Sequence, residues 1–181
     1  MIPVEELEKV RPEKYPRNDI GTSNLFATVW RESLVYVVER KAFFIYNGKV
    51  WKKDVDDLQT SELAKEFVLS IMEYFRQKDT DNEELMKYYS KYLQVDKRRK
   101  LIKDTKSVMS MSIDKFDTQP YLINCLNCTV NIATGEAHEH DPFDYITKTS
   151  NVVYDPDAKS EEFERFIESI MQKDQSMINY L

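Results

Sequence analysis

Glycine is scarce in this chain of 181 residues, with only Gly21, Gly48 and Gly135 present. None of the three lies in the phosphate-binding pattern G-x-x-x-x-G-K-[ST], and no G-x-G-x-x-G occurs. A glycine-rich loop that holds a nucleotide is therefore excluded from these residues. We expect no ATPase activity from them alone, and no cofactor.

Long apolar runs and cysteines are also few. No stretch approaches the roughly 18 apolar residues of a membrane-spanning helix, and the first residues lack the apolar core of a signal peptide. The two cysteines, Cys125 and Cys128, are too close together to staple a fold of this size. These features predict a cytoplasmic protein without membrane contact.

The composition is that of a globular protein with an acidic surface. Hydrophobic residues make up 41% and charged residues 32%, with a formal net charge of −6. This charge argues against binding nucleic acid over the whole surface but leaves room for a local basic patch. We expect an N-terminal arm over residues 1–17, which contains three prolines, and a single domain over residues 18–181.

The first half of that domain predicts a three-stranded meander followed by helices. Residues 34–38 and 42–46 are β-branched and aromatic, and Asn47-Gly48 favours a two-residue hairpin loop. Such a loop pairs Ile45 with Val50 and Phe44 with Trp51. Apolar residues then recur at helical spacing in residues 61–77, a capping box at Thr80 opens a helix that buries residues up to Leu93, and a third helix covers residues 95–111.

The second half predicts a hairpin region and C-terminal helices, so the fold class is α+β. Strands are expected in "YLIN", "TVNI", "EAHEH", "YITKT" and "VVYDPDA", with a turn at Ala133-Thr134-Gly135. Ser160 caps a helix whose apolar stripe runs from Phe163 to Met171, and Asp174 starts another. Because the chain stops inside that last helix, we expect more protein after Leu181.

Both cysteines and both histidines lie between residues 124 and 140. Cys125, Cys128, His138 and His140 provide four ligands of the types that zinc prefers, and the histidines share a strand face. The spacing His-x-His is not a usual structural zinc half-site, and an ordinary hairpin explains the same residues. A nucleophile made of Cys128 and His138 has no orienting partner in the sequence.

The same region resembles the N-terminal, pre-helicase domain of the phage and plasmid primase family, which the poxvirus primase-helicase shares. The "NDIGTSNLF" and "YNGKVWKKD" segments also resemble the opening of that family, so the resemblance covers the chain from about residue 18 onward. Two departures are Cys128, where the family has glycine, and Asn131, where it has aspartate. The matching residues are Asn127, Gly135, His140, Asp141, Pro142, Tyr145, Thr147, Tyr154, Asp155, Pro156 and Ala158.

The resemblance implies a parent protein that replicates DNA. It implies an accessory collar or connector domain that precedes a superfamily-three helicase, self-association in a ring, and contact with single-stranded or forked DNA. ATP and Mg²⁺ belong to the helicase domain, and primase partnership is a further implication. Two alternatives are a structural oligomerisation domain without DNA contact and a zinc-stabilised interaction module.

The candidate DNA-binding residues form a basic run in the third predicted helix, where Arg99, Lys103 and Lys106 share one face. A solvated helix face explains the same run. The run consists of Lys97, Arg98, Arg99, Lys100, Lys103 and Lys106.

A second candidate surface for nucleic acid is the meander, which interleaves aromatic and basic side chains and so suits stacking on single-stranded bases. Packing of the aromatic rings against helices is the alternative. The residues are Tyr36, Phe44, Tyr46 and Trp51 with Lys41, Lys49, Lys52 and Lys53.

Two acidic pairs are the remaining candidates for catalysis. Asp54 with Asp56, and Asp155 with Asp157, have ligand types that suit Mg²⁺. Both pairs lie where turns favour aspartate for local hydrogen bonding. We therefore assign no catalytic and no metal-binding residue.

Overall fold

The computed structural model describes residues 1–78 and 83–170 and confirms the α+β class. No described helix combines the length and the apolar character that crossing a membrane requires. The helices are α1 (Val4–Val10), α2 (Asp19–Val29), α3 (Leu58–Gln77), α4 (Glu83–Ser90), α5 (Val95–Val108) and α6 (Glu161–Ile170). The strands are β1 (Leu34–Val37), β2 (Ala42–Tyr46), β3 (Trp51–Lys53), β4 (Ser110–Met111), β5 (Leu122–Asn124), β6 (Thr129–Asn131) and β7 (Glu136–His138).

The predicted meander forms the first sheet, whose strand order is β3-β2-β1-β4. β1, β2 and β3 pair antiparallel, and β4 joins the edge parallel to β1 after α5. The sequence placed Ser110 and Met111 in the third predicted helix, which is wrong, because α5 ends at Val108 and these two residues form β4.

The predicted hairpin register is wrong. Tyr46 pairs with Trp51 and Phe44 pairs with Lys53, so the loop has four residues instead of two. The Asn47 side chain accepts hydrogen bonds from the Lys49 and Val50 amides, at 3.1 and 2.9 Å. This local bonding by asparagine closes a longer turn that includes Val50.

The first sheet separates two apolar clusters because side chains alternate along its strands. Leu34 and Phe43 face the helices and join the main core with residues of α2, α3 and α5. Val35, Val37 and Trp51 face the other way and pack with Met111 and Phe116. We call this opposite side the outer face of the first sheet.

The N-terminal segment packs against the helices. Leu7 in α1 is fully buried in the main core, and the segment predicted as an arm, residues 1–17, contains α1 and a short 3₁₀ turn at Pro12–Lys14. Asn18 caps α2 by accepting a hydrogen bond from the Gly21 amide at 2.8 Å. The backbone of Pro16 then passes so close to α2 that only glycine fits at position 21.

The second half contains the predicted hairpin as a three-stranded sheet in the order β5-β6-β7. Its turn contains Gly135 at φ +75°. The strands predicted in "YITKT" and "VVYDPDA" are wrong. That part of the chain forms no strand and makes isolated backbone hydrogen bonds instead of a ladder, such as those from Trp51 N to Ile146 O at 2.9 Å and from Leu126 N to Val152 O at 2.8 Å.

The helical predictions have mixed outcomes. The predicted middle helices correspond to α3, α4 and α5, but Leu93 is 47% exposed and so its predicted burial is wrong. Ser160 Oγ accepts from Phe163 N at 3.2 Å, as expected for the cap of α6. Phe163, Phe166 and Ile170 of its stripe are exposed. Thr80, Met171 and the helix predicted from Asp174 lie outside the described residues.

Candidate nucleic-acid interface

Helix α5 carries the whole predicted basic run, and half of it is used inside the domain. Lys97 lies 3.5 Å from Asp19, and Arg98 donates from Nη1 to Tyr92 O at 3.1 Å and also to Leu93 O. The bonds from Arg98 satisfy carbonyls in the 3₁₀ turn that precedes α5. Lys97 and Arg98 are therefore positioned to hold the helix start.

Lys106 is also used structurally. Its Nζ lies 3.2 Å from Asp57 Oδ2 and within 5.2 and 5.5 Å of the ring centres of Tyr36 and Phe43. Only 31% of the side chain is exposed. Lys106 thus joins α5 to the first sheet through cation–π contacts, and to the start of α3 through its charge pair with Asp57.

Arg99, Lys100 and Lys103 form the open part of α5, and we call them the α5 basic face. All three are exposed. Arg99 has one weak neighbour, Asp96, at 3.8 Å. Lys100 and Lys103 border a cavity of about 370 Å³ between α5 and the start of α2, and within the described part of the chain neither forms an ion pair. Lys100 and Lys103 can therefore reach phosphates without breaking an ion pair, and Arg99 has to give up only its contact with Asp96.

The meander aromatics divide between the two faces of the first sheet. Tyr36 packs edge-on against Phe43 on the helical side, with ring centres 5.2 Å apart. Trp51 is 2% exposed and stacks on Tyr145 at 6.1 Å, so it is unavailable to a base. Phe44 is only partly covered and lies beside Lys53 on the outer face. The mixed aromatic and basic surface predicted from sequence is therefore reduced to the surroundings of Phe44.

The two cysteines close a tight turn. Cys125 N donates to Cys128 O at 2.8 Å, and Cys125 is buried. Cys128 does not adopt positive φ, so the family's glycine is not required there. Asn127 forms a two-way bridge with the Tyr154 backbone, accepting from N at 2.8 Å and donating to O at 2.9 Å. Asn127, which belongs to the family pattern, thus holds the segment around Tyr154 in place.

The histidines are bound to different neighbours. His138 Nδ1 lies 2.7 Å from Glu139 O, and His140 Nδ1 lies 3.4 Å from Thr129 Oγ1. Within residues 1–78 and 83–170, no group of three or more His, Cys, Asp or Glu residues is placed to hold a metal ion. The geometry of the described residues does not assemble the ligand set that their spacing suggested.

Burial dominates the electrostatics beside these histidines. It raises the pKa of Asp144 above its usual range, and the nearby His138 partly offsets the shift. His138 Nε2 lies 3.8 Å from Asp144 Oδ2. The pKa of Tyr46 is also raised, first by burial and then by the charges of Asp141 and Asp144. Asp141 and Asp144 thus place two carboxyl groups beside Tyr46 and the histidines.

The acidic pairs have local roles. Asp54 is 2% exposed and accepts hydrogen bonds from Gln59 N at 3.0 Å, Thr60 N at 2.8 Å and Thr60 Oγ1 at 2.7 Å. Its carboxylate therefore caps the start of α3. Asp155 Oδ1 accepts from Asp157 N at 2.9 Å, which closes a turn.

Sequence reasoning missed Arg40 and Lys148, which the structure brings beside Phe44 and Lys53. Arg40 lies in the turn between β1 and β2, and Lys148 follows more than 100 positions later in a segment outside helices and strands. No local pattern joins residues at that separation. The resemblance to the family pattern at Thr147 was the one signal near Lys148.

The family motifs meet around Trp51, whose Nε1 donates to Pro142 O at 2.8 Å. Asp141 caps the short turn after it by accepting from Phe143 N at 2.8 Å. The Trp that follows the Asn-Gly turn and the His-Asp-Pro segment are thus one structural unit, although about 90 positions separate them.

The fold therefore defines an α+β domain in which these two segments are joined as one structural unit. A family model described as "D5 N terminal like" matches residues 23–172, which is more than half of the chain. The chain belongs to this family, the N-terminal domain of phage and plasmid primase-helicases, and the resemblance read from the motifs is confirmed. A search of curated proteins finds no match.

Proposed function

We propose that this domain is a connector that positions the ATP-dependent helicase of a phage or plasmid replication protein on single-stranded DNA. Membership of the primase-helicase family supports the replication role. The DNA contact is inferred from the α5 basic face. Arg99, Lys100 and Lys103 are exposed together on one helix, although the chain as a whole has a net charge of −6. ATP and Mg²⁺ act in the helicase domain under this proposal.

The strand contact is electrostatic in this account. Lysine and arginine side chains that neutralise phosphates release counterions, so the affinity falls as salt rises. The acidic remainder of the surface repels phosphates and limits contact to the few basic regions. The domain therefore binds weakly and leaves the strand free to move through the motor.

Neutralising the α5 basic face tests the proposal. We expect R99Q/K100Q/K103Q to weaken binding of a fluorescently labelled single-stranded oligonucleotide by about tenfold or more at low salt. Fluorescence anisotropy with the whole chain measures this change. The matched control K65Q/R76Q/K87Q removes the same charge from exposed positions on α3 and α4. Equal loss in both variants would show a net-charge effect and contradict a contact at α5.

A second candidate function is self-association without DNA contact. It is favoured by α6, which exposes Phe163, Phe166 and Ile170, with side chains between 52% and 61% exposed. These residues recur at three and four positions and so form one apolar stripe. Such a stripe suits the face of a second copy in a ring.

Changing the stripe separates the two candidates. If α6 mediates self-association, F163S/F166S reduces the sedimentation coefficient of the wild-type assembly to that of a monomer. Under the connector proposal the monomer still binds oligonucleotide through α5, more weakly because multivalency is lost, whereas self-association without DNA contact predicts that neither protein binds. Analytical ultracentrifugation and anisotropy on the same samples measure both. A monomeric wild type would contradict the role of α6.

A further inference from the structure

A groove on the outer face of the first sheet has the features of a binding site. Its volume is about 520 Å³, within the usual range for small-molecule sites of about 300–1,000 Å³. Three cationic residues from three separate parts of the chain line it, together with two aromatic rings and one carboxylate. They are Arg40, Lys53, Lys148, Phe44, Phe116 and Asp117.

The floor of the groove is aromatic. The ring centres of Phe44 and Phe116 are 5.1 Å apart. Phe116 is 8% exposed and anchored in the outer cluster, while Phe44 remains partly open. Because Phe44 and Lys53 pair directly across β2 and β3, the cation stands next to the open ring. A planar ligand can therefore lie on the floor beside a positive charge.

The walls of the groove are positively charged. Within the described residues, Arg40 and Lys53 form no ion pair, and Lys148 is 86% exposed at 3.9 Å from Asp117 Oδ2. Asp117 is occupied, since it accepts from Thr147 N at 2.8 Å and from Thr147 Oγ1 at 2.5 Å. The nearby Glu39 accepts from the Ile113 amide at 2.9 Å. The lining of the groove thus contains three cationic side chains and one carboxylate, Asp117, which already accepts hydrogen bonds from Thr147.

We propose that this groove binds single-stranded nucleic acid, with an unpaired base on Phe44 and phosphates against Arg40, Lys53 and Lys148. This proposal rests on the proposed function, and it adds a second place where the strand contacts the domain besides the α5 basic face. A duplex does not fit, because its bases are stacked and their faces are covered. An acidic peptide would use the cations but leave the aromatic floor without a partner, whereas a base uses both.

Two variants separate the charge from the stacking contribution. We expect R40Q/K53Q/K148Q to weaken oligonucleotide binding by about tenfold and to flatten its salt dependence. We expect F44L to weaken binding on the order of fivefold or more with an unchanged salt dependence, because leucine fills space but offers no stacking surface. Anisotropy with the whole chain and a labelled oligothymidine measures both. Unchanged thermal melting shows that each variant is folded.

Matched controls and competitors define the remaining outcomes. F143L changes an exposed phenylalanine outside the groove and should bind as the wild type does, as should the charge control K65Q/R76Q/K87Q. Polyglutamate should compete poorly with the oligonucleotide. Competition by polyglutamate at equal charge concentration would overturn the base site in favour of an acidic polypeptide. F44L binding as the wild type does would overturn the stacking of a base on Phe44.

The results also distinguish this inference from the function on which it rests. No binding of any oligonucleotide by the wild type at low salt overturns the proposed function. Wild-type binding that is lost in the α5 variant but kept in both groove variants overturns the groove alone. Loss in both sets supports a strand that contacts both surfaces.

Discussion

Replacing Gly21 with alanine will destabilise the domain by at least about 3 kcal/mol, above the usual cost of overpacking. A Cβ at position 21 would lie 2.0 Å from Pro16 O and 2.8 Å from Pro16 C. Both atoms are backbone, and the same carbonyl accepts a hydrogen bond from Asn18 N at 2.9 Å, so it cannot move aside easily. In the alanine variant, the start of α2 therefore has to move away from the N-terminal segment.

The sign of this effect is informative because helix propensity predicts the opposite. Within a helix, alanine is favoured over glycine by about 1 kcal/mol. Urea denaturation followed by circular dichroism gives the free energy of unfolding. The control G48A has no atom within 4 Å of its new Cβ but adopts φ +90°, so it should cost only about 1–2 kcal/mol. A G21A protein as stable as the wild type would mean that Pro16 does not cross α2 in this way.

Replacing Trp51 with alanine is the second large effect, with an expected loss of about 3–5 kcal/mol. The side chain is 2% exposed and packs with Phe116 and Tyr145. It also donates a hydrogen bond to Pro142 O at 2.8 Å. Its removal leaves a cavity under the groove and frees the His-Asp-Pro segment from the first sheet.

A conservative variant separates packing from hydrogen bonding at this position. W51F keeps most of the ring contacts and loses the indole donor, so we expect a loss of about 1–3 kcal/mol. Chemical denaturation measures both variants, and near-ultraviolet circular dichroism checks the tertiary packing. Equal losses for W51A and W51F would contradict the claim that the buried ring area dominates.

The parts of the fold that follow from local patterns were predictable. The apolar spacing of α3 and the Ser160 cap of α6 were both read correctly, because each depends on neighbours within one helix. The hairpin register was not, because Asn47 bonds to the Lys49 and Val50 amides and lengthens the turn. The segments after Pro142 had strand-like sequences, but their backbone makes isolated hydrogen bonds, for example to Trp51, Asn124 and Leu126, instead of a strand ladder.

The candidate interface was predictable only in part. The basic run was visible as composition on one helix. The ring contacts of Lys106 depend on the first sheet and its ion pair depends on the start of α3, and no pattern within α5 predicts either. The groove depends on the approach of Arg40 and Lys148 to Phe44. That approach is a product of the tertiary fold, so only the structure shows it.

The most direct test of the account is the salt dependence of single-strand binding by the whole chain, because it counts phosphate contacts. With three contacts at the α5 basic face and three in the groove, the slope of log affinity against log salt should be about −4. Each triple variant should bring it closer to zero by about 2, and the combined variant should remove it. Measurable wild-type binding with this slope supports the connector role. No binding at about 50 mM salt, or a slope that all six substitutions leave unchanged, would contradict it.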